Sequence, residues 1–252
     1  MIGNKKILFS PSGGEKGLPF GPQQGPGHGG QGEGLPVGKL VCASNKNNVL
    51  TEFFRRGVYD SKRNFYQTMS PSMDILISSN LERLVFEISD RDFHVTRERM
   101  ESLSKTGRYS IRTEEVKKLS EDFYAGFTSE DDTVECIYDF FDEYGYPMDT
   151  HTGVAMNVAQ KYEKMIEKAG EDKKQMVVVS TASPYKFPQD VLYALTGNDV
   201  KDSYKGIKRI HLLTAMKVPE PLKEIRYKPI RFKTVVGVDK MYAEVMNFLN
   251  QE

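Results

Sequence analysis

The groups able to do chemistry fall in a few short stretches of the chain. Gly13 and Gly14 follow Ser10-Pro11-Ser12, and two consecutive glycine amides can form an anion nest. Glu15 is an unfavourable charge beside a phosphate, and a plain linker accounts for the same residues. Asn45 lies in the polar cluster Ser44-Asn45-Lys46-Asn47-Asn48, which reads equally as a turn or as a ligand-facing loop. Ser72, Asp74, Asn80 and Arg83 lie close together further on. A guanidinium such as Arg83 grips a phosphate or carboxylate through two parallel bonds, or is one solvated helix charge. His151-Thr152 opens a helix whose N-terminus favours an anion; a cap without a ligand fits the same pair. Ser180 and Thr181 follow the most apolar strand candidate, and open α/β sheets hold ligands at the carboxyl ends of strands. A turn or cap role explains Thr181 as well.

Other chemistry is excluded by composition. The 35 basic and 35 acidic side chains cancel, so no long-range positive field recruits nucleic acid or an anionic membrane. Cys42 and Cys136 cannot make a disulfide scaffold or a four-cysteine zinc site. His28, His94, His151 and His211 show no metal-ligand spacing. No apolar run approaches a membrane span, and the start is too short for a signal-peptide core, so the cytosol is the expected compartment.

The elements that must position these groups alternate between strand and helix. Strands are expected at 6–9, 37–43 and 176–180, the last a continuous apolar run covered on both faces. Helices are expected at about 49–56, 92–104, 113–125, 133–144, 149–168, 189–195 and 238–250. One more is expected from a cap at Ser72 or Asp74 to Ile88, with Ile77, Leu81, Leu84, Val85 and Ile88 as its apolar stripe. Gly145 and Gly170 read as helix stops. The fold class is α/β, helix-rich with few parallel strands, and incomplete as a doubly wound domain. Between Pro11 and Gly38 stand 11 of the 21 glycines and 5 of the 12 prolines. Such a stretch buries too little to offset its backbone entropy, so residues 1–33 are expected to be a disordered head on a domain spanning 34–252.

Residues 34–50 (GLPVGKLVCASNKNNVL), 70–87 (SPSMDILISSNLERLVFE), 148–155 (MDTHTGVA) and 177–191 (VVVSTASPYKFPQDV) together resemble the C-terminal half of threonine synthase, of the long bacterial and fungal type. The resemblance implies part of a fold type II domain that uses pyridoxal phosphate. It implies a carbon–oxygen lyase of threonine biosynthesis, converting O-phosphohomoserine and water to threonine and phosphate. It places Thr181, with Ser180 beside it, opposite the pyridine nitrogen, where a neutral hydroxyl tunes the electron sink. It makes Asn45, Ser72, Asp74, Asn80, Arg83 and His151 candidate substrate residues, and Gly13 and Gly14 the remnant of a cofactor-phosphate cradle. It places the lysine that holds the cofactor upstream, so Lys186 is not that residue, and no catalytic residue is assigned within the chain.

Three readings follow. The first is a threonine synthase by descent, truncated and inactive alone, with residues 1–33 foreign to the family. The second is the C-terminal subunit of a split enzyme, partnered by a missing N-terminal half. The third is a non-enzymatic interaction protein built on the charged helical stretch 92–143; it leaves the MVVVSTASP strand and loop unexplained.

Overall fold

The computed structural model describes residues 38–171 and 175–250, and residues 6–9 by their backbone. Gly13, Gly14 and the expected boundary near residue 33 lie outside the described residues. The chain divides into two compact units, Met1–Met216 and Lys217–Glu252.

The first unit runs β1 (Lys6–Phe9), β2 (Leu40–Ser44), α1 (Val49–Arg56), β3 (Val58–Asp60), α2 (Leu81–Ile88), α3 (Phe93–Thr106) and β4 (Arg108–Ser110). It continues with α4 (Thr113–Asp122), β5 (Phe123–Phe127), α5 (Glu130–Tyr144), α6 (Thr150–Lys168), β6 (Met176–Val178), α7 (Pro188–Thr196) and α8 (Ser203–Thr214). The second unit holds α9 (Glu220–Glu224) and α10 (Met241–Leu249), neither with a buried residue.

Four strands form one parallel sheet in the order β5-β2-β1-β6, and β3 pairs with β4 in a separate antiparallel ribbon. Alternation along β2 divides the core between the two faces. Val41 and Ala43 pack with Val154, Ala155, Val158 and Tyr162 of α6. Cys42 faces the other way, toward Val49, Leu50, Phe53 and Phe54 of α1. The outer edge of β5 is blunted by cations. Thr128 N–H bonds the Ser44 carbonyl, which turns the Ala125 and Phe127 carbonyls outward. Arg55 Nε donates to the first at 3.2 Å and Lys161 Nζ to the second at 3.4 Å.

Space requires glycine at positions 57 and 153, among others. Gly57 ends α1 at φ 68°, and a Cβ there would meet Val116 Cγ2 at 2.5 Å. A Cβ on Gly153 would meet Ile137 Cγ1 at 2.6 Å, so this residue lets α5 and α6 approach.

The α/β class with few parallel strands stands, but several boundaries differ from expectation. The expected helix to residue 125 stops at Asp122, and the chain turns directly into β5 through Phe123 in extended conformation. The Phe-Tyr-Ala-Gly-Phe run belongs to the sheet, where Gly126 accommodates Val158. The helix expected from Ser72 or Asp74 begins only at Leu81. Before it, Pro71–Met73 makes one 3₁₀ turn and the Asp74 carboxylate is bonded elsewhere. Ile77 therefore leaves the stripe and is 62% exposed. The last parallel strand is three residues long and half-buried rather than covered on both faces. Among the described residues it pairs only with β1, at one side of the sheet. Residues 203–214, not foreseen as a whole helix, form α8.

Candidate active site

Because the sheet is parallel, the carboxyl ends of β2, β5 and β6 lie along one edge. The segment Thr68–Asp74 is fastened there by three separate parts of the chain. The loop after β2 supplies the first fastening. Asn45 is buried; its Nδ2 donates to Thr68 Oγ1 at 2.8 Å and Asp74 Oδ1 at 2.8 Å, with Ser70 Oγ at 3.0 Å. Its Oδ1 accepts from Asn47 N–H at 2.9 Å. Asp74 is the knot of this loop. Oδ1 also accepts from Asn47 Nδ2 at 2.9 Å and Thr68 Oγ1 at 2.7 Å, and Oδ2 from Thr68 N–H at 2.9 Å. These bonds order a long connection that carries little secondary structure.

The start of α5 supplies the second fastening: Glu130 Oε2 accepts from Met69 N–H at 2.8 Å. Burial pushes the Glu130 carboxyl up, the Met69 bond opposes that, and Asp74 and Asp190 raise it further. Burial also raises Asp190 at the start of α7.

The start of α6 supplies the third. Asp149 caps this helix by accepting from the His151 N–H at 2.9 Å and the Thr152 N–H at 3.3 Å. His151 is buried, with Nδ1 3.2 Å from Asp149 Oδ1 and Nε2 accepting from Ser72 N–H at 3.0 Å. The Thr152 hydroxyl bonds Asp149 Oδ2 and lies 3.0 Å from Ser180 Oγ, just beyond β6. A continuous polar chain thus runs from the Ser72 backbone through His151, Asp149 and Thr152 to exposed Ser180.

The structure brings together Asn45, Ser72, Asp74, His151 and Ser180. Thr181 is exposed next to Ser180. Arg83 and Asn80 stand apart: both are exposed at the start of α2, and Arg83 Nη2 donates to Asn80 Oδ1 at 2.6 Å. Lys186 is exposed, 5.2 Å from the Phe187 ring centroid, and that ring lies 4.6 Å from His151. Sequence reasoning passed over Asn47, Thr68, Ser70, Asp149 and Glu130 as bonded members of the site. The Asp-x-His-Thr spacing gave a signal for Asp149; Glu130 left none. Lys46, exposed 4.2 Å from the Tyr66 ring centroid, is a cation on the same edge. The Cys42 thiol, behind the edge on β2, is pushed up to about 12 by burial and is no nucleophile at neutral pH. Among the described residues no group of three His, Cys, Asp or Glu is placed to hold a metal, and no helix is long and apolar enough to cross a membrane.

Residues 152–246 match the family described as "Threonine synthase, C-terminal". The human protein "Threonine synthase-like 1" is 34% identical over 193 residues, which cover 76% of this chain and 25% of that protein. Threonine synthase of Saccharomyces cerevisiae is 31% identical over 178 residues, 65% of this chain and 34% of the enzyme. The solved structure of PLP-bound threonine synthase from Brucella melitensis superposes with a TM-score of 0.70 at 29% identity, covering 87% of this chain and 42% of that one. The chain therefore spans about a quarter of the human relative it matches and less than half of the Brucella enzyme. It carries the C-terminal domain of the threonine synthase family over residues 152–246 and is related to those proteins through most of its length.

Proposed function

We propose that this chain forms the ring-nitrogen side and the ordered substrate loops of a pyridoxal phosphate-dependent, threonine synthase-like site. The reaction is the conversion of O-phosphohomoserine and water to threonine and phosphate. The lysine that holds the cofactor is contributed by polypeptide outside the matched region. The observation that carries this reading is the polar chain from Ser72 to Ser180, which ties three sequence segments to one sheet edge and ends at an exposed hydroxyl. The donor set fits the ring end of the cofactor: Ser180 and Thr181 are exposed, neutral hydroxyl residues at a strand's carboxyl end. When bound, pyridoxal phosphate supplies the electron sink for bond breaking next to the substrate amine. This chain's residues bind and orient. Asn45 and Asp74 act as positioning residues, because their polar atoms are engaged within the protein. Lys46, rather than Arg83, is the cation we assign to an anionic substrate group, because it lies in the loop that Asn45 and Asn47 fix.

The chain alone is expected to bind pyridoxal phosphate saturably but reversibly, with full removal by dialysis and no phosphate release from O-phosphohomoserine. Tyrosine fluorescence and a phosphate assay read the two outcomes. Absence of saturable binding overturns the cofactor assignment; robust turnover by the chain alone overturns the external lysine.

A further inference from the structure

A second set of unclaimed polar groups lies away from the sheet edge. Tyr109 on β4 is 5% exposed, and its ring is taken up by Phe53 and by Tyr59, which stacks on it at 5.3 Å. Its hydroxyl has no hydrogen-bond partner among the described residues. A tyrosine buried this deeply ordinarily bonds its hydroxyl. Arg99 on α3 is 7% exposed and gives Glu115 one N–H from Nη1 and one from Nη2. A guanidinium has five N–H groups, so three of them, the Nε–H included, are unclaimed among the described residues. Both residues line one cavity of about 300 Å³, whose wall is completed by Val95, Glu98, Ser102 and Ser110. Glu98 and Ser110 are exposed and form its rim. The cavity lies between α3 and β4 and shares no residue with the sheet-edge site.

The buried floor offers donors. An arginine N–H can only donate, and the phenol has its proton to give. Burial pushes the Glu115 carboxyl up, but Arg99 and Arg112 hold it below the usual carboxylate range, so these three charges leave one net positive charge beside the cavity. A singly charged carboxylate balances it better than a phosphate dianion does. At the rim, Glu98 forms no ion pair among the described residues and can hold a cation. Val95 is the one aliphatic wall, so a large apolar side chain gains little there. The two bonds to Glu115 fix the guanidinium in advance, which lowers the ordering cost of binding.

We infer that this cavity binds a small, polar α-amino acid, with the carboxylate held by Tyr109 and Arg99 and the ammonium by Glu98. The site does not depend on the pyridoxal phosphate reading above.

Titration of L-serine into the full chain, followed by ¹H–¹⁵N NMR, tests this. Saturable shifts centred on residues 95–110 are expected. Tyr109→Phe keeps the stacked ring and removes only the hydroxyl. It should bind L-serine roughly tenfold more weakly, while its urea midpoint holds or rises because no protein bond is lost. Glu98→Gln, at an exposed position, should also weaken L-serine roughly tenfold but leave acetate, which carries the carboxylate alone, unchanged. Shifts that do not saturate, or equal affinity in Tyr109→Phe, overturn the site. A lowered urea midpoint in Tyr109→Phe overturns its premise, since the hydroxyl would then be bonded within the protein. Acetate binding as tightly as L-serine to the natural chain, or inorganic phosphate binding more tightly, overturns the amino-acid assignment.

Discussion

Among the described residues of the first unit, buried charge occurs in two places and is arranged differently in each. Between α3 and α4, Arg99 and Glu115 form a closed pair: Nη1 to Oε1 at 3.1 Å and Nη2 to Oε2 at 2.6 Å, both side chains buried. Arg112 adds its backbone N–H and side chain to the same carboxylate. Every bond begins and ends among these three residues, of which only Arg112 reaches the surface, as a cation that clamps the carboxylate. At the sheet edge, Asp149 is just as buried, but its bonds lead outward through Thr152 to an exposed serine. A closed network holds elements together. An open one transmits the constraints of the interior to a surface atom, and that is the arrangement the sheet-edge site needs.

The largest expected effect separates the two. Arg99→Met leaves Glu115 buried without its main partner and should cost about 3–5 kcal/mol, read by urea unfolding. Cofactor affinity of the folded fraction should be unchanged; a parallel loss of affinity would erase the distinction. Asp74→Ala should cost about 2–3 kcal/mol by stranding the Asn45, Asn47 and Thr68 donors. Unlike Arg99→Met, it should also speed hydrogen exchange across 66–74. Equal exchange in both variants would mean that Asp74 orders nothing locally.

The pH dependence sharpens the same contrast. Burial pushes the Glu115 carboxyl up, but the bonds from Arg99 and Arg112 outweigh it and hold it below the usual carboxylate range. Its stabilisation is present above the unfolded value of about 4.3 and fades as pH falls through the lower folded value. Glu130 and Asp190 are raised, so the folded state binds their protons first. Stability should therefore rise slightly as pH falls through their folded values toward the unfolded ones, then drop as Glu115 protonates. Urea midpoints against pH should show the rise vanish in Glu130→Gln and the acid limb shrink in Glu115→Gln. The smallest effect is at Arg83→Ala, expected to change stability by no more than about 0.5 kcal/mol, with cofactor affinity unaltered. Lys46→Ala should be equally mild in stability yet weaken binding of O-phosphohomoserine. The reverse order of the two would return the anion to Arg83.

Much of this was legible from residue patterns. The Asp149 cap, the Gly145 stop and the strand at Lys6–Phe9 follow from rules that act within a few residues. Strand β5 was not legible, because nothing between Asp122 and Phe123 breaks a helix; only the pairing of Leu40–Ser44 with Phe123–Phe127 makes it a strand. The site divides the same way. The Ser180-Thr181 loop and His151 stood out by their neighbours in sequence. Glu130 did not, since its bond to the Met69 amide is fixed by tertiary packing alone. Arg83 attracted notice for its chemistry, and the structure spends that chemistry on a neighbouring asparagine.

The place of β1 has a consequence for how the chain folds. Leu8 pairs with Val41 on one side and with Val178 on the other. The sheet is thus joined across its middle by the earliest strand and one of the latest. Closing so long a loop is entropically slow, and parallel pairing of distant segments raises the contact order that limits folding rate. During synthesis, the pair formed by β2 and β5 can assemble while β6 is still unmade. Ser180 reaches its position only after β6 has docked, so the exposed end of the polar chain should be among the last parts of the fold to appear.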